Sequence, residues 1–217
     1  MATKERLDPA KIVDTALAIA DEEGPAAISL RKLAAQHDVT PMALYRHFKD
    51  KDDLLAALGA RLLAEVVLPE PSDAPWDVQL RELLTAVVTA LRAHPRLADL
   101  TRTQFLVAEA GLALSERTLD LLVQGGFSVD DAAEVGRQTV SALVALVVGD
   151  PIAREVSDPE ARAASVRRKQ ASLNALSPER YPRITSAART LIWPKSQDRY
   201  YEIGIELTLA GIRGIRP

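Results

Sequence analysis

Cysteine is absent from this chain, and histidine is scarce: His37, His47 and His94 are the only three among 217 residues. Without thiols there is no disulfide, no thiolate nucleophile and no cysteine-ligated zinc, which fits a reducing compartment. Three scattered histidines give little material for a histidine-based catalytic centre or metal cluster, so neither metal nor cofactor is expected. Aromatic residues make up 4% of the chain against 47% hydrophobic residues overall, so the apolar content is aliphatic and alanine-rich. That balance favours packed helices over a β-sandwich. No apolar run reaches the roughly 18 residues that a membrane-spanning helix requires. The opening MATKERLDPAK also lacks the apolar core of a signal peptide. A cytoplasmic protein without a membrane partner is expected.

The length exceeds that of a typical single domain. The stretch LPEPSDAP, starting at Leu68, combines proline with acid and cannot continue a helix. It is read as the boundary between an N-terminal unit, residues 1–68, and a larger C-terminal one, residues 69–217. Both should be all-α.

The segment Ser29 to Lys51, SLRKLAAQHDVTPMALYRHFKDK, carries the functional signal. Leu33, Ala34, Val39, Leu44 and Phe48 are spaced so that two short helices can bury apolar faces against each other across a tight turn. Ser29 suits the N-cap of the first helix. Thr40 followed by Pro41 suits the start of the second, with an acceptor side chain and then a φ-locked residue. From that start Thr40, Pro41, Met42 and Arg46 lie on the open face while Leu44 and Phe48 turn inward, leaving the helix's N-terminal end free to enter a major groove. Five cations oppose Asp38 and Asp50 here, a local +3 in a chain of net −3. Asp50 and Asp53 can cap a following helix, which puts Lys51 where an ammonium and backbone N–H groups share one phosphate.

These residues resemble a known family. With Ile12, Val13, Ala16, Leu17, Ile19 and Ala20 of a preceding helix, the Gly24 break, SLRKLA and the LYRHF-K-x-K core, residues 9 to about 66 are similar to the DNA-binding domain of the TetR family of transcriptional repressors. The resemblance implies an N-terminal helix-turn-helix domain plus a C-terminal helical domain for ligand binding and dimerisation. It also implies DNA contacts at Arg31, Thr40, Pro41, Met42, Tyr45, His47 and Lys51, with base reading mostly at Arg31 and the start of the second helix. Asp38 departs from the glycine usual in this turn. Aspartate enters the left-handed region more readily than most side chains, so the turn should survive.

Beyond Val67, helices are expected over Trp76 to Ala93, Leu112 to Val123 and Ser128 to about Gly149, with a short apolar segment from Leu97 to Leu106. Val135 to Val148 is apolar nearly all round and so should be buried on every side. A last helix, about Asp198 to Gly214, sets Gly204, Thr208 and Gly211 beside Ile203, Leu207 and Ala210, and small residues so spaced let another helix approach closely. Paired with the long apolar helix, it could supply half of a four-helix bundle in a homodimer, as the resemblance implies. From 151 to 175 charges alternate with alanines, as on a solvated helix, and Arg167, Arg168 and Lys169 are read as surface. From Ser177 to Lys195 a loop around one short helix is expected.

The GGFSVDDA and YYEIGIELTLAGIRG stretches loosely resemble the C-terminal region of the tetracycline-repressor subgroup. In the family a pocket among the central helices holds an inducer. Leu84, Val87, Leu100, Thr103, Gln104, Phe105 and Val144 are the candidate lining of a site for a small-molecule effector. The metal-and-drug chemistry of the namesake is not expected, because the histidine that follows its counterpart of His94 is missing, and His94 itself is assigned a helix-end place beside Pro95. The expected action is that of a homodimer on a near-palindromic double-stranded DNA operator, released when an apolar ligand shifts the connection through Leu62 and Val66.

Two other classes are weaker. Ser29 to Lys32 matches the S-x-x-K pattern of acyl-transfer enzymes, but the companion S-D-N and K-T-G motifs are absent and the serine is better used as a cap. Asp50 to Asp53 lacks the glycine and terminal glutamate of a calcium loop. An adaptor that kept the fold and lost DNA affinity agrees with the acidic total charge and conflicts with the local +3.

Overall fold

The computed structural model describes residues 8–153 and 159–215. Among these there are ten α-helices, two short 3-10 turns and no strand. Helix α1 (Pro9–Glu23) begins where the Asp8 carboxylate accepts from the Ala10 N–H at 3.0 Å, and it ends at Gly24, whose φ of 87° is open to glycine at little cost. Ile12, Val13, Ala16, Leu17, Ile19 and Ala20 form its buried stripe, as their spacing predicts.

Helix α2 (Leu30–Gln36) is capped by Ser29, whose hydroxyl accepts from the Lys32 N–H at 3.1 Å. Asp38 then takes a φ of 50°, a positive value that no other described non-glycine residue shares. The turn therefore closes on an aspartate in the left-handed region. Helix α3 is a single turn, Pro41–Leu44, and Tyr45 to His47 follow as further turns rather than as helix. Leu44 and Phe48 nonetheless anchor this element in the core, against α2, being 0% and 5% exposed. Full burial of a leucine or phenylalanine is worth about 1.5–3 kcal/mol, enough for two anchors to hold so short an element.

Helix α4 (Lys51–Leu63) packs on α1 and reaches into the rest of the molecule, touching the 3-10 turn at Ala98–Thr101 and helices α5 (Trp76–Leu91) and α6 (Glu109–Gln124). Its Gly59 lies so close to the Leu100 carbonyl that a Cβ there would stand 2.4 Å from the oxygen. Helix α7 (Val129–Val148) starts at Ser128, whose hydroxyl accepts from the Asp131 N–H at 3.1 Å. Around α5, α6 and α7, with α10 (Gln197–Gly214), sits the larger core, including Leu80, Leu84, Leu91, Leu121, Leu122, Val144, Val147 and Leu209.

Helix α7 departs from expectation. It is not buried on every side: Ala142 and Ala145 are exposed, and Val135, Val140 and Val148 only half-buried. One chain covers its α5, α6 and α10 sides and leaves the remaining apolar strip open. Helices α8 (Pro159–Asn174) and α9 (Pro182–Ile192) pack on each other, and Arg167, Arg168 and Lys169 are exposed. Residues 154–158, the start of the charged stretch, lie outside the described residues.

The end of α7 is tied to the start of α10 through Asp150, which is 0% exposed. Its carboxylate accepts from the Tyr201 hydroxyl at 2.8 Å, the Gln197 amide at 2.6 Å and the Ile152 N–H at 2.8 Å. Burial first, then the hydrogen bond to Asp150 and its charge, push the Tyr201 phenol well above its ordinary value. A buried carboxylate with three donors is satisfied without a cation.

Candidate nucleic-acid interface

Arg31, Thr40, Pro41, Met42, Tyr45, His47 and Lys51 are all exposed, while Leu33, Ala34, Leu44 and Phe48, which lie between them in sequence, are buried in the core beneath. Met42 is 68% and Tyr45 52% exposed, high values for an apolar and an aromatic side chain. The packing does not use them. Leu44, directly between, is wholly buried, so α3 presents one face to the core and holds Met42 and Tyr45 outward.

Thr40, expected to cap α3 with its side chain, does so through its backbone only. Its carbonyl accepts from the Ala43 N–H at 2.9 Å, and its hydroxyl makes no capping hydrogen bond. Pro41 still occupies the first helical position, where its missing N–H costs nothing. Thr40 is thereby left exposed beside Met42 with its hydroxyl free of the cap.

Lys51 opens α4 under a reciprocal cap. Asp50 accepts from the Asp53 N–H at 2.9 Å, and Asp53 accepts from the Lys49 N–H at 3.0 Å. This fixes the backbone around the lysine while its ammonium projects from the first turn of a helix, the end that favours anions. Lys32 is set apart from the other cations of the segment, being half-buried and paired with Glu23. Arg31, Arg46, Lys49 and Lys51 are exposed and make no ion pair with described residues, whereas Arg61, Arg81, Arg92, Arg102, Arg199 and Arg213 elsewhere each have a carboxylate partner. The helix-turn-helix segment therefore keeps four exposed cations open to a polyanion, while Arg137, Arg167, Arg168, Lys169, Arg183 and Arg189 of the body are likewise exposed without a carboxylate partner among the described residues.

The candidate effector residues fall in two groups. Leu84, Val87 and Val144 are at most 4% exposed in the core shared by α5 and α7. Leu100 is half-buried, Gln104 and Phe105 are buried, and Thr103 is exposed, all on the segment that leads from the 3-10 turn into α6. Leu100 and Gln104 both lie against Gly59 of α4, so this second group touches the helix that carries Lys51. Gln104 donates to the Thr103 hydroxyl at 3.0 Å. No cluster of three or more metal-ligating side chains occurs among the described residues. No described helix is long and apolar enough to cross a membrane.

His94 has a part that sequence spacing gives no sign of. Besides following α5, it places Nδ1 2.8 Å from Asp21 of α1 and Nε2 3.2 Å from Glu65 just past α4. Asp21 is 73 positions away in the chain, so no local pattern could reveal the contact.

A helix-turn-helix with outward polar and cationic side chains, mounted on a larger helical body, defines a DNA-binding transcriptional regulator. The pattern of bacterial regulatory proteins of the tetR family matches residues 12–58, and that of the tetracyclin repressor-like C-terminal domain matches residues 68–215. The chain belongs to this tetR family. It is 29% identical over 177 residues to an HTH-type transcriptional regulator of Saccharopolyspora erythraea, covering 80% of this chain and 75% of that protein. It is 30% identical over 163 residues to the class G tetracycline repressor protein of Vibrio anguillarum, covering 72% and 73%. In structure it resembles the TetR family protein ActR of Streptomyces coelicolor in complex with actinorhodin, with a TM-score of 0.80, 28% identity, and coverage of 96% of this chain and 97% of that one.

Proposed function

We propose that this chain is a cytoplasmic repressor that acts as a homodimer on a near-palindromic operator and leaves it when a small organic effector binds. The supporting observation is the gathering of four unpaired cations with Thr40, Met42, Tyr45 and His47 on one exposed surface. In this reading residues 1–68 are the DNA-reading domain and residues 69–217 the body. Arg31, Thr40, Pro41 and Met42 meet base edges in the major groove, and Tyr45, His47 and Lys51 hold phosphates. A twofold dimer places its two readers in successive major grooves, about 34–36 Å apart.

Leu84, Val87, Leu100, Thr103, Gln104, Phe105 and Val144 surround the proposed effector site. Leu84, Val87 and Val144 are closely packed, so an effector reaches them only by parting α5 and α7. The bound neighbour ActR, with actinorhodin, makes an organic effector of comparable chemistry the first to try. Because Leu100 and Gln104 bear directly on α4 at Gly59, a ligand that displaces them also displaces the helix behind Lys51, and Leu62 and Val66 carry the shift onward. DNA is released to the extent that the ligand prefers the displaced form.

Two substitutions test this reading by fluorescence anisotropy on intergenic DNA beside the chain's own gene, over a range of salt. Lys51→Ala should weaken binding to all sequences alike and lower the slope of log affinity against log salt by about one, as expected for one phosphate contact. Arg31→Ala should instead cost about 1–3 kcal/mol on the preferred site and far less on others, flattening the preference. Binding to that DNA with no salt dependence would sink the proposal.

A further inference from the structure

Helices α8 and α9 belong to a strongly basic part of the chain. Residues 159–195 hold eight arginines and lysines against Glu160 and Glu179, a net +6 in a chain of net −3. The two helices pack chiefly on each other, as an arm beside the body. Arg167, Arg168, Lys169, Arg183 and Arg189 are exposed on it, with no carboxylate partner among the described residues. A positive potential of this kind raises the concentration of anions in any cleft that lies within it.

Such a cleft exists, about 550 Å³ in volume, between the end of α7 and the arm. Gly149 and Pro151 form its α7 side, Val166 and Lys169 its α8 side, and Leu191, Ile192 and Trp193 its α9 side. Volumes of about 300–1,000 Å³ are those of small-molecule sites. Local rules build the walls. Val166 and Lys169, three residues apart, share one face of α8. Trp193 caps the end of α9, its N–H donating to the Arg189 carbonyl at 2.9 Å, and Pro194 stops a further turn. Leu191 is 62% exposed and Trp193 only half-buried, so two large apolar side chains of one short segment lack full packing within the chain. Lys169 adds an apolar stem and one unpaired ammonium.

We propose that this cleft is a further small-molecule site, for an organic anion with a flat apolar body, of the aromatic carboxylate class. The ring system lies against Trp193, Leu191 and Val166, where offset or edge-on contact with the indole is favourable. The carboxylate meets the Lys169 ammonium, which a neutral ligand of the same shape leaves unused. This site is separate from the core around Leu84, Val87 and Val144, and it does not depend on the DNA-reading proposal. Gly149 and Pro151 flank Asp150, whose carboxylate holds Gln197 and Tyr201, so an occupant bears on the junction of α7 with α10.

The test is a titration of the full-length chain with 2-naphthoate, and in parallel with its neutral amide, 2-naphthamide, followed by the indole 15N–1H signals. Trp76 and Trp193 are the only two tryptophans, and loss of one signal in Trp193→Phe assigns both. The Trp193 signal should shift with 2-naphthoate while that of Trp76 stays in place. The amide should bind about fivefold more weakly, the upper end for an ion pair open to water. Lys169→Ala should weaken naphthoate to the level of the amide and leave the amide unchanged, and Lys169→Arg should restore it. Val166→Phe should fill the cleft and abolish the shift with the helical circular dichroism unchanged; the lysine variants keep the test readable if it does not fold. A shift at Trp76 alone, no shift at either indole in a millimolar excess of 2-naphthoate, equal affinity for acid and amide, or undiminished affinity in Lys169→Ala overturns the proposal.

Discussion

Leu207→Glu should leave each chain folded and reduce operator affinity by two orders of magnitude or more. Leu207 is 69% exposed on α10, so within one chain a glutamate there is a surface residue and costs little. Its neighbours show why the side chain is leucine all the same. Ile203 on the same helix and Ile215 just past its end are 42% and 63% exposed, and an open groove of about 380 Å³ runs past Leu207, Gly211 and Ile215 to Val135 and Ala142 of α7. A Cβ added at Gly211 would meet no atom within 4 Å, so nothing in its own chain requires glycine there. A second copy packed on this face would require it, with α7 and α10 of each chain forming a four-helix bundle. By twofold symmetry each Leu207 would be buried once per chain, worth about 1.5–3 kcal/mol apiece. A carboxylate in its place would lie desolvated against its symmetry mate, a penalty of several kcal/mol. With the dimer lost, the two readers bind singly and forfeit an avidity of roughly 10²–10⁴. Light scattering should report a monomer and circular dichroism an unchanged helical signal. A dimer that survives Leu207→Glu would place the assembly face elsewhere.

What could be read ahead of the structure divides by range. Caps at Ser29, Asp50 and Ser128 act over three residues, and each is found where its spacing puts it. The turn at Asp38 is equally local, and the glycine usual at this place in the resembled family is what pointed to its left-handed φ. Thr40 shows the limit of such reasoning: its carbonyl closes the first turn of α3, and the hydroxyl that propensity assigns to capping is left over. Helix α7 shows another. Its pattern is apolar nearly all round, yet the neighbouring helices cover only part of it, and Ala142 and Ala145 stand exposed in a single chain. The family was legible because its signature lies in one unbroken stretch, Ser29 to Lys51. The joint between reader and body was not, since Asp21, Glu65 and His94 come from the ends of three different helices, and the space at Gly59 is limited by Leu100 and Gln104, far away in the chain.

That carbonyl makes Gly59→Ala the most informative change at the joint. In an open helix the substitution would stabilise by up to about 1 kcal/mol, because alanine is the better helix former. Here the new Cβ would stand 2.4 Å from the Leu100 oxygen, 2.9 Å from its carbonyl carbon and 2.9 Å from Cγ of Gln104. A flexible side chain can step aside, whereas the Leu100 peptide is held by the turn around it, its N–H donating to the Leu97 carbonyl at 2.9 Å. Helix α4 must therefore back away from the body. Overpacking of this kind costs typically about 1–3 kcal/mol, which exceeds the propensity gain. Urea unfolding should show a net loss of about 1–2 kcal/mol, and operator affinity should fall with it, because α4 carries Lys51 at one end and meets the Arg61 and Glu65 network at the other. The second substitution Gln104→Ala separates the two sources of strain. It removes the Cγ contact and leaves the backbone one, so it should restore little of either loss. Full recovery in the double variant would mean that the side chain, not the carbonyl, sets the distance between α4 and the body.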